Sequence, residues 1–296
     1  MTMLHWIFKN LSTVKYETNR YEISENYENI LISVNTANIT LVPSEDGKTT
    51  VECYEEQNVK HLVKTENGTL EIKYSDTRKW YEHIGVIGFE TTRITVYLPA
   101  GEYASLSVSA STGNTEIPKD FRFESMDISA STGSVMNAAS AAGDIRIKTT
   151  TGDIRMENVS ARNVSLSVST GKITVTGLTC EKEFRTTVGT GDAKLVDIAC
   201  ENLFSEGSTG HLTLTNVIAS QKLSVKRNTG DVTFDGCDAD EIFAKTTTGK
   251  ITGTLLTAKD FSACRSDTGS IRVPATDGTE CELVTDTGNI KIEISK

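Results

Sequence analysis

The sequence has no apolar stretch long enough to cross a bilayer, which takes about 20 consecutive apolar residues in a helix. Its first apolar run, Leu4 to Phe8, is interrupted by His5 and ends before Lys9. That run is too short for the core of a secretory signal, and no small-residue cleavage site follows it. We therefore expect no membrane insertion by this chain, which would stay in the compartment where it is made.

An excess of basic residues is also missing. The chain has 30 Lys and Arg against 40 Asp and Glu, with a net charge of −10 and a pI near 5.0. Nucleic-acid binding depends on cationic side chains that neutralise phosphates, and anionic membrane surfaces attract the same side chains. The composition argues against both classes of partner, and we expect no nucleic acid.

The residues that usually build metal and nucleophile sites are few and scattered. The chain has 4 His and 6 Cys, no CxxC pair and no His/Cys cluster with zinc spacing. We expect no cofactor and no metal, and we interpret the cysteines mainly as members of the repeat described next. The cysteines are Cys53, Cys180, Cys200, Cys237, Cys264 and Cys281.

A repeat dominates the rest of the sequence. Ten Thr-Gly dipeptides follow one another, and successive glycines are 19 or 20 residues apart. The glycines are Gly113, Gly133, Gly152, Gly171, Gly191, Gly210, Gly230, Gly249, Gly269 and Gly288. Apolar residues recur two and four positions after glycine with polar residues between them, as in a strand with one buried face. The second positions include Val135, Ile154, Ile173, Ala193, Leu212, Val232, Ile251, Ile271 and Ile290, and the fourth include Ile117, Met156, Val175, Leu195, Leu214, Phe234, Val273 and Ile292.

Two further sets of equivalent positions, called here the small rank and the bulky rank, complete the repeat. Small residues stand nine positions after glycine, and a rank of bulky residues follows them. The small rank is Ala161, Cys180, Cys200, Ala219, Ala239 and Ala258, and the bulky rank is Phe184, Phe204, Leu223, Phe243 and Phe261. We predict an all-β fold, a single-stranded right-handed parallel β-helix (β-solenoid) of about ten coils in which like residues stack to form the core.

The composition changes near residue 104, because all eight Tyr and both Trp precede it. We predict a tail over 1–19, a β-rich cap of degenerate coils and hairpins over 20–104, and the solenoid over 105–296. Within the cap, Leu31 to Val42 resembles a rung in which Ala37-Asn38 replaces Thr-Gly, and Val63 to Tyr74 reads as a hairpin around Asn67-Gly68. The last strand, Asn289 to Ser295, is expected at the open end, where Lys291 and Glu293 discourage edge pairing.

The repeated pattern resembles a known family. Ser111-Thr112-Gly113, Thr151-Gly152-Asp153-Ile154 and Ser169-Thr170-Gly171-Lys172-Ile173, preceded by Ile94 to Pro99, are similar to the bacterial "putative adhesin" family of unknown function. The resemblance begins near Tyr16 and covers most of the chain. It implies a β-solenoid, often on the outer side of a membrane, and therefore a cell-envelope or extracellular location.

Two groups of acidic residues and one histidine resemble known chemical sites. Asp267-Thr268-Gly269 and Asp286-Thr287-Gly288 look like aspartic-protease motifs, but both lie in the Thr-Gly register, and we predict that they are not catalytic. Asp235, Asp238, Asp240 and Glu241 could hold calcium, although a solvated corner explains them better. His211, the one histidine of the solenoid, occupies an outward position and is expected on the surface.

Residues 75–93 depart most from the repeat pattern, and they include Trp80, Tyr81 and His83. Large amphipathic rings dominate interface energetics, so we predict that these three residues form a contact surface for a partner or a second copy of the chain. The competing interpretation is that the rings cover the open end of the solenoid and are buried.

No set of catalytic residues emerges, so we predict a non-enzymatic structural or binding module, adhesin-like, with an unknown protein or glycan partner and the capacity for self-association. The alternative is a carbohydrate-active enzyme, since parallel β-helices also host lyases and hydrolases. That alternative requires two carboxylates converging on one face. We find no outward column that places carboxylates in line, and we expect a surface map to decide.

Overall fold

The computed structural model describes residues 12–13, 15–76, 86–87 and 91–295, and every regular element within them is a β-strand. The first nine strands precede the regular coils. They are β1 (Ser12–Thr13), β2 (Tyr16–Ile23), β3 (Asn29–Thr36), β4 (Asn38–Pro43), β5 (Thr49–Glu56), β6 (Val59–Glu66), β7 (Thr69–Asp76), β8 (Val86–Ile87) and β9 (Arg93–Leu98).

Nineteen strands form the regular coils. They are β10 (Gly101–Thr112), β11 (Thr115–Ile117), β12 (Phe121–Thr132), β13 (Val135–Asn137), β14 (Ser140–Ala141), β15 (Asp144–Thr151), β16 (Ile154–Ala161), β17 (Asn163–Thr170), β18 (Ile173–Cys180), β19 (Glu183–Thr190), β20 (Ala193–Thr209), β21 (Leu212–Thr229), β22 (Val232–Thr248), β23 (Ile251–Leu255), β24 (Lys259–Asp260), β25 (Arg265–Thr268), β26 (Ile271–Arg272), β27 (Thr279–Thr287) and β28 (Ile290–Ile294).

Equivalent strands of successive coils pair in parallel, with like residues in register. Thr132 pairs with Thr151, Thr151 with Thr170, and Thr170 with Thr190. Each coil has two runs of strand. The first ends at Thr-Gly and is called here the long strand, as in β15; after the turn, the second run, as in β16, bends once before the next coil. The predicted β-solenoid of about ten coils is confirmed.

The turn after each long strand requires glycine. The ten repeat glycines have φ between 129° and 156°, a range that side chains rarely adopt. A Cβ at Gly210 would lie 1.9 Å from the carbonyl oxygen of Gly191, and the other nine positions are equally close to a neighbouring coil. From Gly113 onward, coils can therefore stack at strand spacing only because this column has no side chain.

A second corner lies six residues after glycine and was not predicted. Its residues in five successive coils have φ between 51° and 69°. They are Asn158, Gly177, Asp197, Asn216 and Gly236. Asn, Asp and Gly are the residues that tolerate this left-handed conformation, so their recurrence at one repeat position was a signal available in the sequence.

The core consists of the inward columns, and most of the predicted members are buried. Ile173 and Leu212, on either side of Ala193 in one column, are both 0% exposed. The bulky rank was wrong in part, because Phe184 pairs with Leu203, not with Phe204. Phe204 and Phe243 therefore point outward, while Leu203 and Ile242 take the buried places.

The small rank and the last coils also depart from the prediction. Ala258 is exposed, and Lys259 is buried instead, with its ammonium 2.6 Å from the carbonyl oxygen of Ala239 and 2.8 Å from Asp238. Ile271 is 41% exposed and Val273 is half-buried. The chain leaves the regular register near Leu255, which pairs with Cys237 one position early.

The first coil lies one layer inside the stack. Strands β3 and β4 pair in parallel with β10 and β11 on one side, and with β7 and β9 on the other. Thr36 pairs with Thr112, so Thr36-Ala37 replaces Thr-Gly, which corrects the predicted Ala37-Asn38 by one residue. Antiparallel strands then cover the end: β6 pairs with β7, β5 with β9, and β2 with β5.

The last coil is also one layer inside the stack, which overturns the prediction that it forms the open end. Strand β27 pairs with β22 on one side and with β25 on the other, and β28 lies between β23 and β26. The backbone follows the same order, because Gly249 N donates to Thr287 O and Gly288 N donates to Thr268 O, each at 2.9 Å. The coil of Gly269 is outermost, and Lys291 pairs with Arg272 of that coil, so Lys291 does not protect an edge.

The cysteines behave as core residues. All six are free, and Cys180 lies opposite Ala161 in the small rank. Burial raises the pKa of Cys180 to about 11 and that of Cys200 to about 12. We therefore expect both thiols to resist a thiol reagent until the protein is denatured, with the half-buried Cys264 the first to react. Mass spectrometry of the labelled native protein checks this, and rapid labelling of Cys180 would contradict it.

Candidate functional site

The residues predicted to form a contact surface, Trp80, Tyr81 and His83, lie outside the residues that the structure describes. Whether they bind a partner or cover the end of the solenoid therefore stays a prediction.

The three look-alike sites can be placed. Asp267 and Asp286 lie on neighbouring strands, since Ser266 pairs with Thr285 and Thr268 with Thr287. Asp267 is exposed at the outermost coil, and the described residues form no second lobe that encloses it, as the protease motif requires.

The acidic corner consists of Asp235, Asp238, Asp240 and Glu241, and two of these four carboxylates have protein partners. Asp238 forms an ion pair with the buried Lys259, and Glu241 forms one with Lys222. The four residues do not converge as a metal-ligating group within the described part of the chain. His211 is exposed as expected, and its Nδ1 accepts a hydrogen bond from the backbone N–H of Asp231 at 3.1 Å.

The long strands provide the surface with the most distinctive chemistry. Because residues of a strand alternate between two faces, every second residue of these strands points away from the core. Counting back from each glycine, the sixth position before it forms one outward column. Six consecutive members of that column form what we call the arginine–phenylalanine row: Arg146, Ser165, Arg185, Phe204, Ser224 and Phe243.

Two serines interrupt the large side chains of this row. Ser165 separates two arginines and Ser224 separates two phenylalanines, so each serine lies in a gap about 10 Å wide at the usual strand spacing. The rings of Phe204 and Phe243 are half-buried, and the guanidinium of Arg185 lies 4.7 Å from the centre of the Phe204 ring. This contact holds the arginine and the ring side by side.

The gap at Ser165 is a depression of about 370 Å³. Its rim carries two arginine–carboxylate pairs, one formed by Arg146 with Asp144 and the other by Arg185 with Glu183 at 3.1 Å. Asn163 lies between the two carboxylates and donates a hydrogen bond to Asp144 at 2.9 Å. The depression therefore offers charged donors and acceptors on both sides of a small hydroxyl.

These carboxylates correct an expectation from the sequence. Asp144 and Glu183 do lie along one face, two strands apart with Asn163 between them, although no such column was anticipated. A glycosidase of the usual type needs one carboxyl group that is protonated. Each of these carboxylates instead forms an ion pair with an arginine of its own strand.

Stacked coils of a single repeated unit, a core of inward columns and a continuous outward face define a β-solenoid. The chain belongs to the family described as Toastrack DUF4097, whose model matches residues 27–195 and 181–296. The resemblance drawn from the Thr-Gly repeats is thereby confirmed.

Solved structures share the fold at low identity. A Parabacteroides distasonis ATCC 8503 protein described as a "putative lipid binding protein" has a TM-score of 0.56 at 17% identity, over 84% of this chain and 100% of its own. A "putative adhesin" from the same organism has a TM-score of 0.54 at 14% identity, over 95% and 100%. One from Parabacteroides merdae ATCC 43184 has 0.51 at 12%, over 95% and 98%.

These likenesses concern the fold alone. Among curated proteins none matches the chain. The described residues include no helix that is long and apolar enough to span a membrane.

Proposed function

We propose that the protein is a non-catalytic binding module of the cell envelope that holds an extended glycan along the arginine–phenylalanine row. The observation that carries the proposal is the row itself, in which two arginines and two half-buried phenylalanines from four coils lie in register on one rigid face. The envelope location rests on the solved structures described as "putative adhesins".

The chemistry of the row suits a sugar polymer. Sugar rings have edges of hydroxyl groups and faces of C–H groups. The arginine–carboxylate pairs can exchange hydrogen bonds with hydroxyls, and the two phenyl rings can pack against the apolar faces. A polymer that lies across the strands meets a new coil about every 4.8 Å, so a long ligand gains contacts that a monosaccharide cannot.

The alternative, a carbohydrate-active enzyme, draws its support from the pair Asp144 and Glu183 at the same depression. The two functions differ in whether the bound polymer is cut. Incubation with a soluble polysaccharide that binds, followed by an assay for new reducing ends, separates them. We expect no cleavage, and cleavage lost in Asp144→Asn or Glu183→Gln would establish the enzyme.

The binding prediction concerns the phenyl rings. Electrophoresis in gels that contain hydroxyethylcellulose, glycol chitosan or hyaluronate should retard the wild-type protein in at least one polymer. The double variant Phe204→Ala and Phe243→Ala should lose at least about tenfold in affinity, or about 1.4 kcal/mol, because both apolar contacts are removed. Arg185→Ala should weaken binding in the same gel.

Two substitutions on a different outward face provide matched controls. Met136, which is 41% exposed, and Lys194 both lie three residues after glycine on the second run of a coil. Met136→Ala and Lys194→Ala should bind like the wild type and melt at the same temperature. Failure of every polymer to retard the wild type, or equal binding by the row variants, would refute the proposal.

A further inference from the structure

A buried cluster of three side chains with metal-ligating atoms lies at the N-terminal end, apart from the row. Cys53 and Glu55 are alternate residues on one face of β5, and His61 comes from β6 after a two-residue turn. Their exposed fractions are 0%, 0% and 4%. One ligand atom of each residue lies within 4.8 Å of those of the other two, and no other such group occurs among the described residues.

The carboxylate of Glu55 organises the cluster. Its Oε2 accepts a hydrogen bond from the backbone N–H of His61 and lies 2.7 Å from Nδ1 of the same residue. Its Oε1 accepts a hydrogen bond from Asn19 at 2.7 Å, and the ammonium of Lys60 is 3.8 Å away. Nδ1 of His61 and the carboxylate of Glu55 are therefore close enough to bind one ion together.

The other imidazole nitrogen of His61 lacks a partner. Its Nε2 is buried and has no hydrogen-bond partner among the residues that the structure describes. Buried polar atoms are nearly always satisfied, because leaving one unpaired costs its full desolvation penalty. The hydrogen bonds of Glu55 and His61 therefore leave this buried histidine only partly satisfied.

The thiol completes the donor set. Burial raises the pKa of Cys53 to about 12, and the negative charge of Glu55 adds to the effect. The thiol alone therefore stays protonated at neutral pH. A divalent cation reverses this preference, because its charge stabilises the thiolate that binds it.

We propose that Cys53, Glu55 and His61 bind one divalent transition-metal ion, with Zn²⁺ the best match. Sulfur, nitrogen and oxygen donors together are a typical zinc ligand set, whereas a thiolate disfavours Ca²⁺ and Mg²⁺. One thiolate and one carboxylate balance the charge of the ion.

The site is structural. Cys53 is fully enclosed, so no substrate can reach it as a nucleophile. Strand β5 pairs with β2 and β9, so an ion that joins β5 to β6 would tie together the strands that cover this end of the stack.

Cobalt gives the sharpest test, because thiolate ligation produces a charge-transfer band in the near ultraviolet. The full chain, purified without chelator, should carry one Zn²⁺ by elemental analysis and show that band after exchange with Co²⁺. Cys53→Ala should abolish the band, and His61→Ala should lower the bound metal. Cys200→Ala removes another buried thiol, outside the cluster, and should keep both.

Refolding provides a measurement that does not depend on the variants. Because the site is closed, the wild type should refold faster and melt higher in Zn²⁺ than in EDTA. Wild-type protein that takes up neither Zn²⁺ nor Co²⁺ on refolding would overturn the proposal, as would a folded Cys53→Ala variant with an unchanged cobalt spectrum. If Cys53→Ala does not fold, the wild-type cobalt spectrum decides, and absence of the charge-transfer band refutes the site.

Discussion

Replacing Leu212 with Asp is expected to unfold the solenoid. Leu212 is 0% exposed, and its column neighbours on the two adjacent strands are Ala193 and Val232. A carboxylate there would be buried without a partner, so the free energy of unfolding should fall by about 4–5 kcal/mol or more. Circular dichroism during thermal or urea unfolding measures the loss.

The control for this variant lies on the outward face of the same kind of strand. Thr174 is flanked by Arg155 and Lys194, so an Asp there gains two cationic neighbours and should change stability by no more than about 0.5 kcal/mol. Ile173→Asp, one residue earlier and 0% exposed, should behave like Leu212→Asp. Equal melting of Thr174→Asp and Leu212→Asp would show that the assignment of faces is wrong.

Replacing Gly210 with Ala is expected to destabilise the protein by roughly 3–5 kcal/mol, through backbone strain and through overpacking. The φ of Gly210 is 129°, and the added methyl group would lie 1.9 Å from the carbonyl oxygen of Gly191. That atom belongs to the backbone of the neighbouring coil, so the clash is relieved only by separating two coils. The midpoint of urea unfolding gives the measurement.

A glycine at the other corner provides the comparison. Gly236 has φ of 63°, and a Cβ there would meet only Leu256, at 3.9 Å. Asn158 and Asn216 adopt the same conformation in other coils. Gly236→Asn should therefore leave stability within about 0.5 kcal/mol of the wild type. A loss as large as that of Gly210→Ala would mean that positive φ alone, without the close carbonyl, sets the cost.

The coil itself could be predicted because every coil repeats the same steric requirement at Thr-Gly. The error in the bulky rank came from counting forward from each glycine. Coils of 20 residues place the extra residue before the long strand: Cys200 pairs with Ala219 and Asn202 with Lys222, so the later coil has one more residue between the two pairs. Counting back from the next glycine removes the drift and puts Leu203 in the core and Phe204 outside.

The order of the coils could not be predicted, because periodicity shows which residues stack but not which coils are neighbours. The coils of Gly269 and Gly288 carry the same pattern, and only the packing of the Gly288 coil against the coil of Gly249 places it inside. The cluster of Cys53, Glu55 and His61 was missed for a related reason. Cys53 and Glu55 share a face of one strand, but His61 joins them through a hairpin that matches no zinc spacing.

The position of the last coil constrains how the gene can change in length. A solenoid whose final repeat lies at the free end could grow by duplicating that repeat. Here β3 lies between β10 and β7, and the coil of Gly288 lies between those of Gly249 and Gly269, so a copy inserted directly beside either one in sequence would have no open layer next to it. New repeats can enter only among the regular coils, where each unit presents the same two edges to its neighbours.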